Sequence, residues 1–326
     1  KIPKKYKLKV KSLLKNYKLF IFEYSASEKL KSFSNANKLA ENIISKNFNR
    51  TDTLIAIGGG IVGDFSSFTA SIIKRGINFI NIPSTLLAQV DSSIGGKTGV
   101  NSRYGKNLIG SFYQPKFVLI DVSFLNSLGK REMICGYAEI LKHSLILKNS
   151  FFKWLKTKSE RIIKYRDLDL IKIAIYRSCK IKLHFVNKDL KEKNFRMILN
   201  FGHTFAHAIE AQSKFSGKIN HGEAVLIGMM MAAKLSVIKK VCSSKVLFEI
   251  SKIYKENNLV NRLRKYLMKK NFNKMVYFMI KDKKNNDQKI NLILLKSIGK
   301  TTKPGSFKLS AQEMKKSLPK LLNFYF

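Results

Sequence analysis

Short apolar runs alternate with longer stretches of helical spacing through the first third of the chain. Tyr17–Glu23 and Thr53–Ile57 read as strands, and so do Phe79–Ile82 and Phe117–Asp121. Between them, Ser25–Asn47 places Leu30, Phe33, Leu39 and Ile43 at helical intervals, with Ser and Asn near its ends. A Ser/Thr/Ala-rich segment running to Lys74 predicts a closely packed helix. Alternating strands and helices predict an α/β fold with a largely parallel sheet. After about residue 123 the texture changes. Glu132–Lys148, Phe151–Ile163, Leu168–Asn187, Arg196–Ala211, Glu223–Val241 and Leu247–Tyr254 all carry helical spacing, and the next strand pattern is Ile290–Leu295. We therefore expect an α/β domain over 1–123 and a mostly α-helical domain over 124–326.

Composition narrows the class. A hydrophobic fraction of 45% permits a sizeable core. The best apolar run, Ala224–Ala233, ends at Lys234, short of the roughly 18 residues of a membrane span. No secretory pattern follows Lys1. Cys135, Cys179 and Cys242 fit neither a disulfide framework nor a zinc-finger spacing. These features lead us to expect a cytoplasmic protein with no membrane partner. The net charge of +41 would suit a nucleic-acid binder. Yet the lysines spread from Lys1 to Lys320 among abundant Asn and Ile, as a genome-wide bias would leave them, so no nucleic-acid partner is expected. The positive field still favours an anionic substrate.

Candidate chemistry gathers in Asn200–Glu210 and Asn220–Glu223, which hold three of the five histidines. His203 and His207 share one helical face, and His221 opens the next apolar run. A metal or proton-transfer site is one reading; a capping pair beside a chance loop histidine is the other. Gly58–Asp64 joins a strand to a helix, where glycines admit a pyrophosphate or simply make a tight turn. It lacks both the usual G-x-G-x-x-G spacing and a P-loop lysine. Lys97 and Lys106 lie on Gly-rich loops and suit a phosphate, a carboxylate or plain solvent. Glu139 and Lys142 stand three apart: a surface ion pair, or, for Glu139, the oxygen donor that completes a two-His, one-Glu set.

Together these motifs resemble the 3-dehydroquinate synthase family. The matching stretches are Gly58–Asp64, Ile82–Asn101, Gly105–Pro115, Gly136–Lys142, Leu199–Glu210 and His221–Ala224, with Gln89–Asn101 the most specific. The resemblance runs from about residue 25 to near Lys300. It implies a Rossmann-like α/β domain followed by a helical one, NAD, and a divalent metal, zinc first and cobalt second. It implies a sugar phosphate substrate, 3-deoxy-D-arabino-heptulosonate 7-phosphate, and a homodimer.

Carried over by motif, the metal ligands are Glu139, His203 and His221. Nucleotide contacts fall on Glu28 and Lys31, on Gly60, Ile61, Val62, Gly63 and Asp64, and on Ser84, Thr85, Lys97 and Lys106. Phe124, Leu125, Asn126 and Ser127 complete them. Substrate contacts fall on Asp91, Lys97, Asn107, Lys142, Lys182, Arg196, Asn200 and His207. Lys283 and Lys284 add to these, with Arg75 reaching over from a partner subunit. Lys142, Asn200, His207 and Glu192 form the catalytic group, Glu192 and His207 as proton acceptors. The family's reaction is a transient oxidation, phosphate elimination, re-reduction and aldol closure. Ser27 and Ser84 stand where the family usually has Gly and Thr, and the interval from His203 to His221 is slightly long. The chain also starts late relative to the family, which usually has a further strand and helix before Tyr17. Other sugar phosphate cyclases and polyol dehydrogenases are the neighbouring alternatives; the dehydrogenases lack the joint pattern of Lys142, Lys182, Arg196 and Asn200.

Overall fold

The computed structural model describes residues 2–213, 218–259, 272–281 and 289–322. It forms two compact units, Lys1–Ser127 and Leu128–Phe326. In the first, β1 (Thr53–Gly58), β2 (Asn78–Pro83) and β5 (Phe117–Val118) make a parallel sheet in the order β1-β2-β5. Helix α1 (Lys4–Leu13) precedes it, α2 (Phe33–Ile44) starts at Ser32, whose hydroxyl accepts from the Asn35 N–H, and α3 (Gly60–Ile72) follows β1. Leu39 and Ile43 of α2 pack with Phe65 and Phe68 of α3 and Phe79 of β2 in one buried cluster. Removing these large side chains from water drives the layering of helix on sheet.

Two sequence expectations fail here. Tyr17–Glu23 belongs to no strand; Leu19, Phe20 and Ile21 are exposed outside any helix or strand. Its apolar pattern suits a sheet, but a strand also needs a ladder partner. Conversely, the Gly-rich stretch expected as loops folds as an antiparallel hairpin of β3 (Lys97–Ser102) and β4 (Gly105–Phe112). Gly99 and Gly110 face each other across it, and a Cβ on Gly110 would overlap the Thr98 carbonyl. Close backbone approach accounts for glycine where β-formers would normally stand.

The second unit is mostly helical: α4 (Lys130–Leu147), α5 (Asn149–Ile163), α6 (Leu168–Lys188), α7 (His203–Gln212), α8 (His221–Ile238) and α9 (Ser244–Glu256). Phe272–Ile280 and Ala311–Leu322 add two more helices, and short antiparallel pairs join Ile290–Asn291 to Lys308–Leu309 and Leu295–Ser297 to Lys300–Thr301. Ile290–Leu295, expected as one strand, is thus divided. Helix α8 is apolar on every side and sits at the centre of the unit against α4, α7 and α9. Among the described residues it is the one helix long and apolar enough to cross a membrane, and 78% of it is buried within the fold.

The expected helix Arg196–Ala211 is broken. Phe195–Asn200 is a 3₁₀ segment, Gly202 takes a φ of 80°, and α7 starts at His203. A side chain at Gly202 would be strained by that φ and would press within 2.7 Å of the Met229 N atom.

Candidate functional site

Glu139 lies in the middle of α4 and is fully buried, while His203 and His221 are the first residues of α7 and α8. The break at Gly202 and the capping box at Asn220 and Glu223 therefore decide where each imidazole enters. Nε2 of both histidines lies 3.6 Å from Glu139 Oε1, and one ligand atom from each of the three residues falls within 4.8 Å of the others. His207, one turn after His203, holds its ring perpendicular to that of His203 at 5.5 Å, outside this three-donor set. Two imidazole nitrogens and one buried carboxylate oxygen fit a divalent metal of zinc type. Lys142 Nζ pairs with Glu139 Oε2.

Contacts invisible in the sequence hold these helix ends. The Gly222 N–H donates to Cys135 Sγ at 3.2 Å, one turn before Glu139, and a Cβ at Gly222 would overlap the Cys135 backbone. Burial pushes the Cys135 thiol up to about 12, so it stays protonated. Arg131 donates from Nε and Nη2 to the two Glu223 oxygens at 2.9 and 2.6 Å, tying the start of α8 to the start of α4. Asn220-x-x-Glu223 was readable as a capping signature; Arg131 and Cys135 carried no such signal.

Burial opposes protonation of His221, but hydrogen bonds to Glu139 and Glu210 outweigh it and push the group up to about 10. In the metal-free protein this stabilises the fold below pH 6.5 and is lost as pH rises through about 10. A metal must displace that proton. Zinc uptake is expected to release one proton at His221, with apparent affinity rising about tenfold per pH unit from about pH 7 to 10. Titrating zinc against a chelator at several pH values measures this slope, and a flat profile would contradict it.

In the same unit, Lys142, Lys182 and Arg196 are all buried. Arg196 Nη1 donates to the Leu190 carbonyl at 2.8 Å, and Asn200 Nδ2 donates to Glu192 Oε1 at 2.8 Å. Lys283 and Lys284 lie outside the described residues.

In the first unit, β1 ends at Gly58 and α3 begins at Gly60, with Gly59 as its N-cap. A Cβ at Gly58 would meet that of Val62 at 2.5 Å, and one at Gly60 would meet Ser92 Oγ at 2.9 Å. Gly60, Ile61 and Val62 thus lie in the first turn of α3, where N–H groups have no partner within the helix, while the Gly63 N–H donates to the Gly59 carbonyl at 3.0 Å; the turn is a cradle that fits a pyrophosphate. Lys31 is buried and its Nζ donates to Asp64 Oδ2 and Asn107 Oδ1, both at 2.6 Å. Burial pushes the Asp64 carboxyl above its ordinary range, and Lys31 opposes that. Glu28 accepts from Asn101 Nδ2 at 2.8 Å and pairs with Lys106 at 3.3 Å. The Ser84 N–H donates to the Gly58 carbonyl, and Thr85 Oγ1 caps the turn at Ala88. Asp91 sits in the π-helical turn Ala88–Ser92, Lys97 opens β3, and Phe124, Leu125, Asn126 and Ser127 fall in the 3₁₀ segment Val122–Ser127. Arg75 is exposed, with a φ of 64°. Lys31→Ala would leave the Asp64 carboxylate without its cation; a destabilisation of about 3 kcal/mol is expected from urea unfolding of that unit. An unchanged midpoint would count against the pair's importance.

Residues 21–135 match the family model described as 3-dehydroquinate synthase N-terminal, and residues 136–285 match 3-dehydroquinate synthase C-terminal. The 3-dehydroquinate synthase of Pelagibacter ubique is 53% identical over 279 residues, covering 86% of this chain and 76% of that protein. That of Thermodesulfovibrio yellowstonii is 40% identical over 320 residues, covering 98% and 87%. Among solved structures, a 2-deoxy-scyllo-inosose synthase complexed with carbaglucose-6-phosphate, NAD+ and Co2+ superposes with a TM-score of 0.86 at 27% identity, covering 98% of this chain and 88% of that one.

Proposed function

Because the chain belongs to the 3-dehydroquinate synthase family, we propose that it converts 3-deoxy-D-arabino-heptulosonate 7-phosphate to 3-dehydroquinate and phosphate. It is then a carbon–oxygen lyase acting on a phosphate, with NAD and a divalent metal, zinc before cobalt, as cofactors. The observation that carries this reading is the convergence of Glu139, His203 and His221 in a chain of this family. When bound, NAD+ would accept and return a hydride, and the metal would polarise the hydroxyl oxygen on the carbon being oxidised and that on its neighbour.

The residues divide the remaining work. Glu139 and Nε2 of His203 and His221 hold the metal. The turn Gly60–Asp64 takes the pyrophosphate, with Glu28, Lys31, Ser84, Thr85, Lys97, Lys106 and Phe124–Ser127 as the other nucleotide contacts. Lys142, Lys182 and Arg196 bind the substrate's carboxylate and phosphate, and their burial strengthens each contact by excluding water. Asn107, Lys283 and Lys284 add to that grip, Asp91 accepts from a substrate hydroxyl, and Arg75 is supplied by the second subunit of a homodimer. Glu192 and His207 receive the proton leaving the carbon next to the oxidised centre, and Asn200 orients the Glu192 carboxylate through Oε1. The metal ligands and most substrate contacts fall in 124–326 and most nucleotide contacts in 1–123, with Phe124–Ser127 on one side and Arg75, Asp91, Lys97 and Asn107 on the other as the exceptions. We assign the activity to the cytoplasm.

Phosphate release from the heptulosonate phosphate in the presence of NAD+ and Zn2+ tests the proposal. Release should stop with a chelator and return with Zn2+ or Co2+. Absence of release, or release indifferent to the chelator, overturns it.

A further inference from the structure

The two imidazoles of the cluster are held differently at their far nitrogens. Nδ1 of His203 faces the Phe201 carbonyl oxygen at 3.3 Å. Nδ1 of His221 faces Glu210 Oε2 at 3.4 Å. Nε2 of both rings faces Glu139 Oε1. A carbonyl or carboxylate oxygen accepts, so in a neutral ring each contact asks for the proton on Nδ1 and leaves the Nε2 lone pair toward Glu139. The acceptors differ in charge, however. A carboxylate behind an imidazole makes the ring a stronger donor and fixes its plane; a peptide carbonyl does so less.

Helix stability does not explain Glu210. It stands in the last turn of α7, where the helix macrodipole disfavours an anion. Its side chain is 16% exposed, so water screens little of its charge. It lies two turns after His203 on the same face, which lets one helix supply one nitrogen donor and orient the other.

We propose that Glu210 is a positioning residue for the metal centre: it holds His221 in the Nδ1–H tautomer, aims its Nε2, and adds a second negative charge that favours a divalent cation. This rests on reading Glu139, His203 and His221 as the metal ligands.

The test compares the full-length wild type with Glu210→Gln, which keeps size and an acceptor but loses the charge, and with Glu210→Leu, which loses both. Dissociation constants for Zn2+ and Co2+ come from competition with a chromophoric chelator, and the absorption spectrum of the Co2+ form reports ligand geometry. Glu210→Gln should weaken both metals about tenfold and Glu210→Leu about a hundredfold. The cobalt bands should shift, and kcat should fall while KM for the heptulosonate phosphate holds. A merely structural role would lower the thermal midpoint and leave metal affinity and cobalt spectrum alone, which overturns the proposal. Should Glu210→Leu fail to fold, Glu210→Gln decides by the same criteria. If His203→Ala also binds metal like the wild type, the ligand reading itself is wrong and the proposal falls with it.

Discussion

Replacing His203 by alanine is expected to abolish stoichiometric metal uptake and to lower phosphate release by about a thousandfold or more. The ring supplies one of the two imidazole nitrogens that lie 3.6 Å from Glu139 Oε1. Without it, a cation would rest on one carboxylate oxygen and one imidazole. Lewis-acid stabilisation is worth several kcal/mol, and each 1.36 kcal/mol is tenfold in rate, which sets the size of the loss. The fold should survive, because position 203 begins α7 and alanine is a good helix former. Circular dichroism should match the wild type while bound zinc, read by elemental analysis, falls well below one per chain. A variant that keeps chelator-sensitive turnover within tenfold of the wild type would sink the metal assignment.

Gly228→Ala should be among the most damaging added methyls in the second unit. On α8, a Cβ at 228 would overlap the Gly202 carbonyl oxygen and lie 3.1 Å from the Ala206 N atom. The obstacle is backbone, so no rotamer change relieves it and α7 must move off α8. Overpacking of this kind typically costs 1–3 kcal/mol, and with the backbone of the first turn of α7 in the way we expect about 3 kcal/mol, or roughly 10 °C in the thermal midpoint of a unit this size. Gly202 immediately precedes His203, so the same displacement separates His203 from His221 and metal affinity should drop together with stability. Gly129→Ala is the control: nothing lies within 4 Å of its Cβ, and its effect should stay within about 1 kcal/mol. Scanning calorimetry of both variants, with and without zinc, checks the pair. Equal midpoints would refute the packing argument.

What could be read from the chain depended on whether local pattern and local structure coincide. Helices α4, α5, α6, α8 and α9 were legible because each carries a long run of helically spaced apolar residues, and β1 and β2 because compact runs end at Gly58 and Pro83; Phe272–Ile280 and Ala311–Leu322 were not read as helices. The hairpin was hidden because its close contacts demand glycine, which reads as loop. Tyr17–Glu23 misled for the opposite reason, an apolar run with no strand to pair with. At the candidate centre, the residue types came from motif resemblance. The arrangement that joins Glu139 to histidines more than sixty positions away belongs to tertiary packing, as do Cys135 and Arg131, which no short spacing announces.

The capping box of α8 carries a further consequence. A helix start is normally an anion trap, since its exposed N–H groups attract phosphate and sulfate. At α8 that role is already taken: the Glu223 carboxylate accepts from the Asn220 N–H at 2.9 Å and is itself neutralised by Arg131. The end of the helix that presents His221 therefore offers a departing phosphate ion no second resting place. At this end of the unit, product retention, and with it inhibition by inorganic phosphate, falls to side-chain cations and should weaken steadily as ionic strength rises.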